Sequence, residues 1–180
     1  SRVDPAIRAQ LSSAHPKSVT GWYRSPVTVH FTCTAGTGQL THPCPAPVRL
    51  TGNGGGQKVT RVITTTDGGA ATVTAGPVNI DQTEPKVTVA GVRNRAVYVG
   101  ASRHSRCVAT DPYSGIARCV LHRSTDRHGL IHYTATATSG AGRSATVRGS
   151  YRMLTIWISH AAVRHGAFQV AVGHVYRLTA

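Results

Sequence analysis

The chain has 180 residues, with 20 Lys plus Arg against 6 Asp plus Glu, for a net charge of +14. That balance favours anionic partners and disfavours divalent cations. Aromatic residues make up only 6% and charged residues 14%. Such a composition, filled out by Thr, Ser, Val, Ala and Gly, suits strands and tight turns rather than helices, and it contains no apolar run of about 18 residues to span a membrane.

In chain order, the first predicted element holds Ile7, Ala9 and Leu11 on one parity and is read as a strand. Trp22-Tyr23 leads into a second run, where Val27, Val29, Phe31 and Cys33 alternate with Thr28, His30 and Thr32. A period of two marks a half-buried strand. Gly52-Asn53-Gly54-Gly55-Gly56 is read as a hairpin loop before the strand Val59-Thr60-Arg61-Val62-Ile63; with no helix behind it, it is not a phosphate cradle. Asp67-Gly68-Gly69 is a turn, and Asn79-Ile80-Asp81-Gln82-Thr83-Glu84-Pro85 is a solvated linker, because Pro85 has no amide hydrogen to continue a ladder. Beyond it lie turns at Asp111-Pro112-Tyr113-Ser114-Gly115, Asp126-Arg127-His128-Gly129 and Ser139-Gly140-Ala141-Gly142. Between the last two, Ile131, Tyr133, Ala135 and Ala137 alternate with His132, Thr134, Thr136 and Thr138.

An internal repeat organises these elements. The four cysteines form two pairs, Cys33/Cys44 and Cys107/Cys119, whose first members stand 74 residues apart and second members 75 apart. Asp4-Pro5-Ala6-Ile7 matches Glu84-Pro85-Lys86-Val87, Val29–Cys33 matches Arg103–Cys107, and Thr64–Val73 matches Thr138–Val147. The expected organisation is therefore a first repeat at 4–83, a second at 84–154, and extra strands at 155–180 that begin a third module. In that tail Ile156 and Ile158, Phe168 to Val172, and Tyr176 and Leu178 alternate around turns at His165-Gly166 and Gly173-His174.

Ala14-His15-Pro16-Lys17, Gly21-Trp22-Tyr23-Arg24-Ser25-Pro26-Val27-Thr28-Val29 up to Cys33, Cys44-Pro45-Ala46-Pro47-Val48, the Asn79–Pro85 boundary and Asp111 with Ser114-Gly115-Ile116 carry a resemblance. Together they resemble bacterial immunoglobulin-like repeats. Such repeats occur in tandem in secreted and surface proteins of Gram-positive bacteria, often as stalks or spacers beside a functional domain. The family's late Asp-Asn-Ala-Gly-Asn turn is reduced here to Asp67-Gly68-Gly69 and Ser139-Gly140-Ala141-Gly142-Arg143. The resemblance implies architecture and an extracellular or cell-surface location, and no reaction.

An even number of cysteines in a basic, Thr-rich β-chain reads as disulfides in an oxidising compartment. The matched offset pairs Cys33 with Cys44 and Cys107 with Cys119. No basic start precedes an apolar core, so a secreted chain is expected here in mature or trimmed form. Zinc is the competing reading, since His30, His42, His104 and His122 flank the cysteines. Against it, strand residues three apart point to opposite faces. Calcium at Asp81 and Glu84 would need six to eight oxygens. No Gly-x-Ser-x-Gly elbow appears, and the acids sit in turns. No cofactor is expected.

Two binding readings remain. Trp22 and Tyr23 could stack on sugar rings, or serve as core anchors. Arg93, Arg95, Arg103, Arg106, Arg118, Arg123 and Arg127 form the densest basic set, within a stretch at 84–154 that holds eleven basic and three acidic residues. They could attract an anionic wall polymer or polysaccharide in a salt-sensitive way. Only Tyr98 and Tyr113 interleave them, too few for specific nucleic-acid stacking. The expected fold is all-β, two tandem immunoglobulin-like antiparallel sandwiches plus C-terminal strands. The expected function is a non-catalytic spacer or adhesion module joined to neighbouring domains of a longer parent chain, with carbohydrate or polyanion binding as the alternative.

Overall fold

The computed structural model describes residues 2–100 and 102–155, and the backbone alone of 157–158, 162–164, 167–169 and 178–179. The protein is all-β. Among the described residues no helix is long and apolar enough to cross a membrane. Of the expected third module at 155–180, all but Thr155, including the turns at His165-Gly166 and Gly173-His174, lies outside the residues whose side chains are described.

The first six strands are β1 (Ala6–Ser13), β2 (Trp22–Tyr23), β3 (Val27–Thr34), β4 (Val48–Leu50), β5 (Gly54–Thr64) and β6 (Ala70–Ile80). They form two sheets, β1-β3-β4 and β2-β6-β5. Alternation dictates what each strand buries: Val27 and Val29 of β3 are fully buried, while His30, Thr32 and Thr34 are exposed. Val27 meets Val78 and Ile80 of β6, and Val29 meets Val59 of β5 and Ala75 of β6, so the two sheets close on one apolar interior. Each fully buried valine contributes about 1.5–3 kcal/mol. Outer faces are tied by threonine pairs such as Thr60–Thr74, 2.9 Å apart across β5 and β6.

The next six strands are β7 (Lys86–Ala90), β8 (Ala96–Val99), β9 (Arg106–Thr110), β10 (Ile116–Thr125), β11 (Leu130–Ser139) and β12 (Ser144–Leu154). Here the sheets are β7-β9 and β10-β11-β12-β8. The order repeats that of the first six. A short strand runs parallel to the last long one in both copies, β2 beside β6 and β8 beside β12. The fourth strand differs: β4 joins the sheet of β1 and β3, whereas β10 joins that of β11. Tyr133, Ala135, Ala137 and Ser139 of β11 are buried at every second position. Tyr133 clusters with Val92 and Tyr151 as the centre of the apolar interior there. Past residue 155, β13 (Trp157–Ile158) pairs with β16 (Leu178–Thr179) and β14 (Ala162–Arg164) with β15 (Ala167–Gln169).

By compactness the chain divides into one unit of Ser1–Lys86, Ala109–Arg118 and Ala137–Ala145, and another of Val87–Val108, Cys119–Thr136 and Thr146–Ala180. The first unit therefore contains two loops that follow residue 84 in sequence.

Two expectations are corrected. Gly52–Gly56 is not wholly a loop, because Gly54–Gly56 begin β5, with Gly54 opposite Ile80 and register irregularities on either side of Gln57. The Gly56 amide donates to Asn79 Oδ1 at 2.7 Å, which holds this irregular stretch to β6. Nor is Asn79–Pro85 a solvated linker. Asn79 and Ile80 belong to β6, and Ile80, Asp81 and Pro85 are buried, Asp81 with no exposed surface.

Candidate functional site

Cys33 in β3 is bonded to Cys44 ahead of β4, and Cys107 in β9 to Cys119 in β10, each with Cα atoms 5.7 Å apart. Sulfurs bonded in this way are not thiolates free to take zinc. His30 is exposed and meets Ser12 Oγ at 3.0 Å. Each bridge closes 11 or 12 residues, which on the loop-entropy account contributes about 3 kcal/mol. Reduction is expected to lower stability by that amount per bridge, read as a shift in the urea midpoint with and without reductant. An unmoved midpoint would contradict it.

Tyr23 is half-buried and packs against the buried Val27–Val78–Ile80 cluster. Trp22, its neighbour in β2, is half-buried and lies beside Gly55. The two predicted stacking residues therefore do not form one platform. Trp157 is described by its backbone alone.

The most developed polar arrangement centres on Asp81. Its Oδ1 accepts the Thr83 amide at 3.0 Å and the Thr83 hydroxyl at 2.6 Å. Its Oδ2 accepts the Ser114 hydroxyl at 2.5 Å and the Ser114 amide at 3.3 Å. Burial pushes the carboxyl up, but the Ser114 hydroxyl and then the Thr83 hydroxyl and amide outweigh it and hold the group below its usual 3.8. Ser114 Oγ also accepts the Ala141 amide at 3.0 Å, and the Gly140 amide donates to the Gly115 carbonyl at 2.9 Å. Thr20 Oγ1 donates to the Gly140 carbonyl at 2.5 Å. A Cβ at Gly140 would strike the Ser114 carbonyl, so the close approach requires glycine. In the sequence Ser114 belongs to a turn and to the Ser114-Gly115-Ile116 string of the resemblance, and neither points to Asp81. The two residues lie 33 positions apart, and no local signal links them.

The other acids brace turns or pair on the surface. Asp111 Oδ1 accepts the Tyr113 and Ser114 amides, both at 3.0 Å. Asp67 accepts the Thr65 hydroxyl and the Gly69 amide, and chiefly the Thr65 bond lowers its pKa. Asp126 accepts the Leu130 and His128 amides and meets His132 Nε2 at 3.2 Å; the Leu130 amide is the main cause of its lowered pKa. Glu84 pairs with Arg143 and Asp4 with Arg2, each at 3.3 Å.

Of the seven predicted arginines the structure brings two together through an aromatic ring. Arg93 and Arg103 line one groove of about 440 Å³ with Val89, Gly91, Val92 and Tyr98. The Arg103 guanidinium lies 4.4 Å from the centre of the Tyr98 ring, and the Arg93 amide donates to the Tyr98 phenol oxygen at 2.7 Å. Gly91, at φ +88°, sits where a Cβ would strike the His104 carbonyl. Arg95 is on the same turn with φ 61°. Arg106 on β9 is exposed, Arg123 reaches Ser105 Oγ at 3.4 Å, and Arg127 reaches its neighbour His128 at 3.0 Å. Arg118 belongs to the first compact unit, the other six to the second. No family model matches the chain, and no curated protein or solved structure matches it.

Proposed function

We propose that the chain is an extracellular, non-catalytic structural or adhesion module, built of two tandem immunoglobulin-like repeats and serving as a spacer within a longer secreted or surface protein. The observation that carries this reading is the pair of disulfides, one in each copy of a repeated strand order. Small β-domains with a modest apolar interior gain most from such bridges, and bridges persist where the surroundings are oxidising. The commitment of the acids to turns and surface pairs supports a structural rather than catalytic role. The buried carboxylate between residues 80 and 84 supports a braced junction rather than a slack tether.

The test is made on cells that produce the chain. Thiols are alkylated at harvest without reductant, and intact cells are shaved with protease. Both bridges formed, with the chain recovered in the shaved or secreted fraction, is the expected result. Four alkylated thiols inside the cell would overturn the reading.

A further inference from the structure

We infer that the groove between Arg93, Tyr98 and Arg103 is a binding site for a tetrahedral oxyanion, a sulfate or phosphate ester carried on an extracellular polymer. It rests on the reading above only for the source of the ligand; the chemistry of the site stands on its own geometry.

Tyr98 organises the site. One edge of its ring meets Tyr151, with centroids 5.9 Å apart at 75°, and Tyr151 is almost completely buried. The ring is thus anchored on the apolar interior, and it carries the Arg103 guanidinium at 4.4 Å. A guanidinium held over an aromatic face keeps its N–H donors available at its edge and loses less freedom on binding. The Tyr98 oxygen accepts the Arg93 amide, leaving the phenol hydrogen to donate elsewhere. Among the described residues neither Arg93 nor Arg103 pairs with a carboxylate. The Arg103 fork and the Tyr98 phenol share one groove with Arg93, and such a set of donors suits an anion with three or four oxygens in different directions better than a planar carboxylate.

A second, independent feature lies on the same turn. Arg95 has φ 61°, the left-handed region that favours Gly and Asn, and is the one non-glycine residue there among the described residues. An arginine held in that conformation costs about 1 kcal/mol or more. Its amide donates to the Ser150 carbonyl at 2.6 Å, which holds the backbone there, and the arginine adds positive charge to the turn that carries Arg93.

The experiment measures affinity of the intact, oxidised chain by fluorescence anisotropy at low and high salt, for labelled heparin, poly(glycerol phosphate), polygalacturonate and duplex DNA. Inorganic sulfate serves as competitor. Heparin, poly(glycerol phosphate) or both are expected to bind, sulfate to displace them, and salt to weaken them. Which of the two binds identifies the ester. R93Q/R103Q is expected to weaken binding by about tenfold or more, and R93K/R103K, which keeps the charge and loses the forks, by several-fold. R8Q/K58Q removes the same charge from exposed positions elsewhere and is expected to change affinity by less than about twofold. Arg95→Asn is expected to raise the thermal midpoint while weakening binding. Near-UV circular dichroism of each variant verifies the fold. Equal losses in the two glutamine pairs, tighter binding to polygalacturonate or DNA, or no binding to either ester polymer at low salt would each overturn the proposal.

Discussion

Replacing Asp81 by alanine is expected to cost about 4 kcal/mol of stability, more than any other single polar change in the first compact unit. Asp81 is completely buried and accepts four hydrogen bonds; without it the Ser114 amide keeps Asp111 Oδ1, but the Thr83 amide and the Thr83 and Ser114 hydroxyls lose their carboxylate. Each buried donor left unpaired costs about 1–3 kcal/mol. Asparagine keeps the shape and one acceptor oxygen, and should cost roughly half as much. The pH dependence follows from the lowered pKa. The carboxylate's contribution is fully present above the unfolded value near 3.8 and is lost as pH falls through the lower folded one. Asp67 and Asp126 share that direction, so the informative quantity is the difference between the parent chain and D81N. That difference should be constant at neutral pH and shrink below pH 3.8. Urea titrations at a series of pH values measure it. A difference that grows on acidification would mean that the hydrogen bonds do not favour the ionised form.

Replacing Tyr151 by alanine is expected to remove about 4 kcal/mol from the second compact unit. Its ring is 2% exposed and lies between Tyr98 and Tyr133, at 5.9 and 6.4 Å between centroids. Val92 and Tyr133 pack with it in the same buried cluster, so truncation opens a cavity among them. Leucine, which refills part of that volume, should cost about half as much. The same change removes the edge contact that anchors Tyr98, so near-UV circular dichroism should fall and the Arg103 guanidinium should lose its platform. Chemical denaturation of the alanine and leucine variants provides the check. A loss below about 1 kcal/mol in the alanine variant would show that the three rings do not pack as a unit.

Sequence pattern was most informative where a local rule governs the residue. Period-two alternation placed Val27 and Val29, and later Tyr133, Ala135 and Ala137, on buried faces, because successive strand side chains point to opposite sides. The matched cysteine offset paired the sulfurs, each bridge closing a short loop from β3 or β9, although Cys44 lies ahead of β4 and Cys119 within β10. Pattern was least informative where the partner is remote. Asp81 sits in a polar run ending in proline, which reads as solvated. Its burial depends on Ser114, whose hydroxyl arrives from another loop. Similarly, the seven arginines gave one undifferentiated basic stretch. Only the placement of Tyr98 between Arg93 and Arg103 singles out a pair. The glycine run at 52–56 misled because glycines can enter a strand at an irregular register when a neighbouring side chain, here Asn79, supplies the missing hydrogen bond.

The compact unit that houses Asp81 also claims Ala109–Arg118 and Ala137–Ala145, segments encoded well downstream of the sequence repeat it completes. Tandem repeats are usually imagined as beads that recombination can duplicate, delete or trade one at a time. A crossover at residue 84 of this chain would separate Asp81 from Ser114 and Thr20 from Gly140, and so deliver a bead with an orphaned buried charge. Asp81 and Ser114 would therefore have to be inherited together, although 33 positions part them in the sequence.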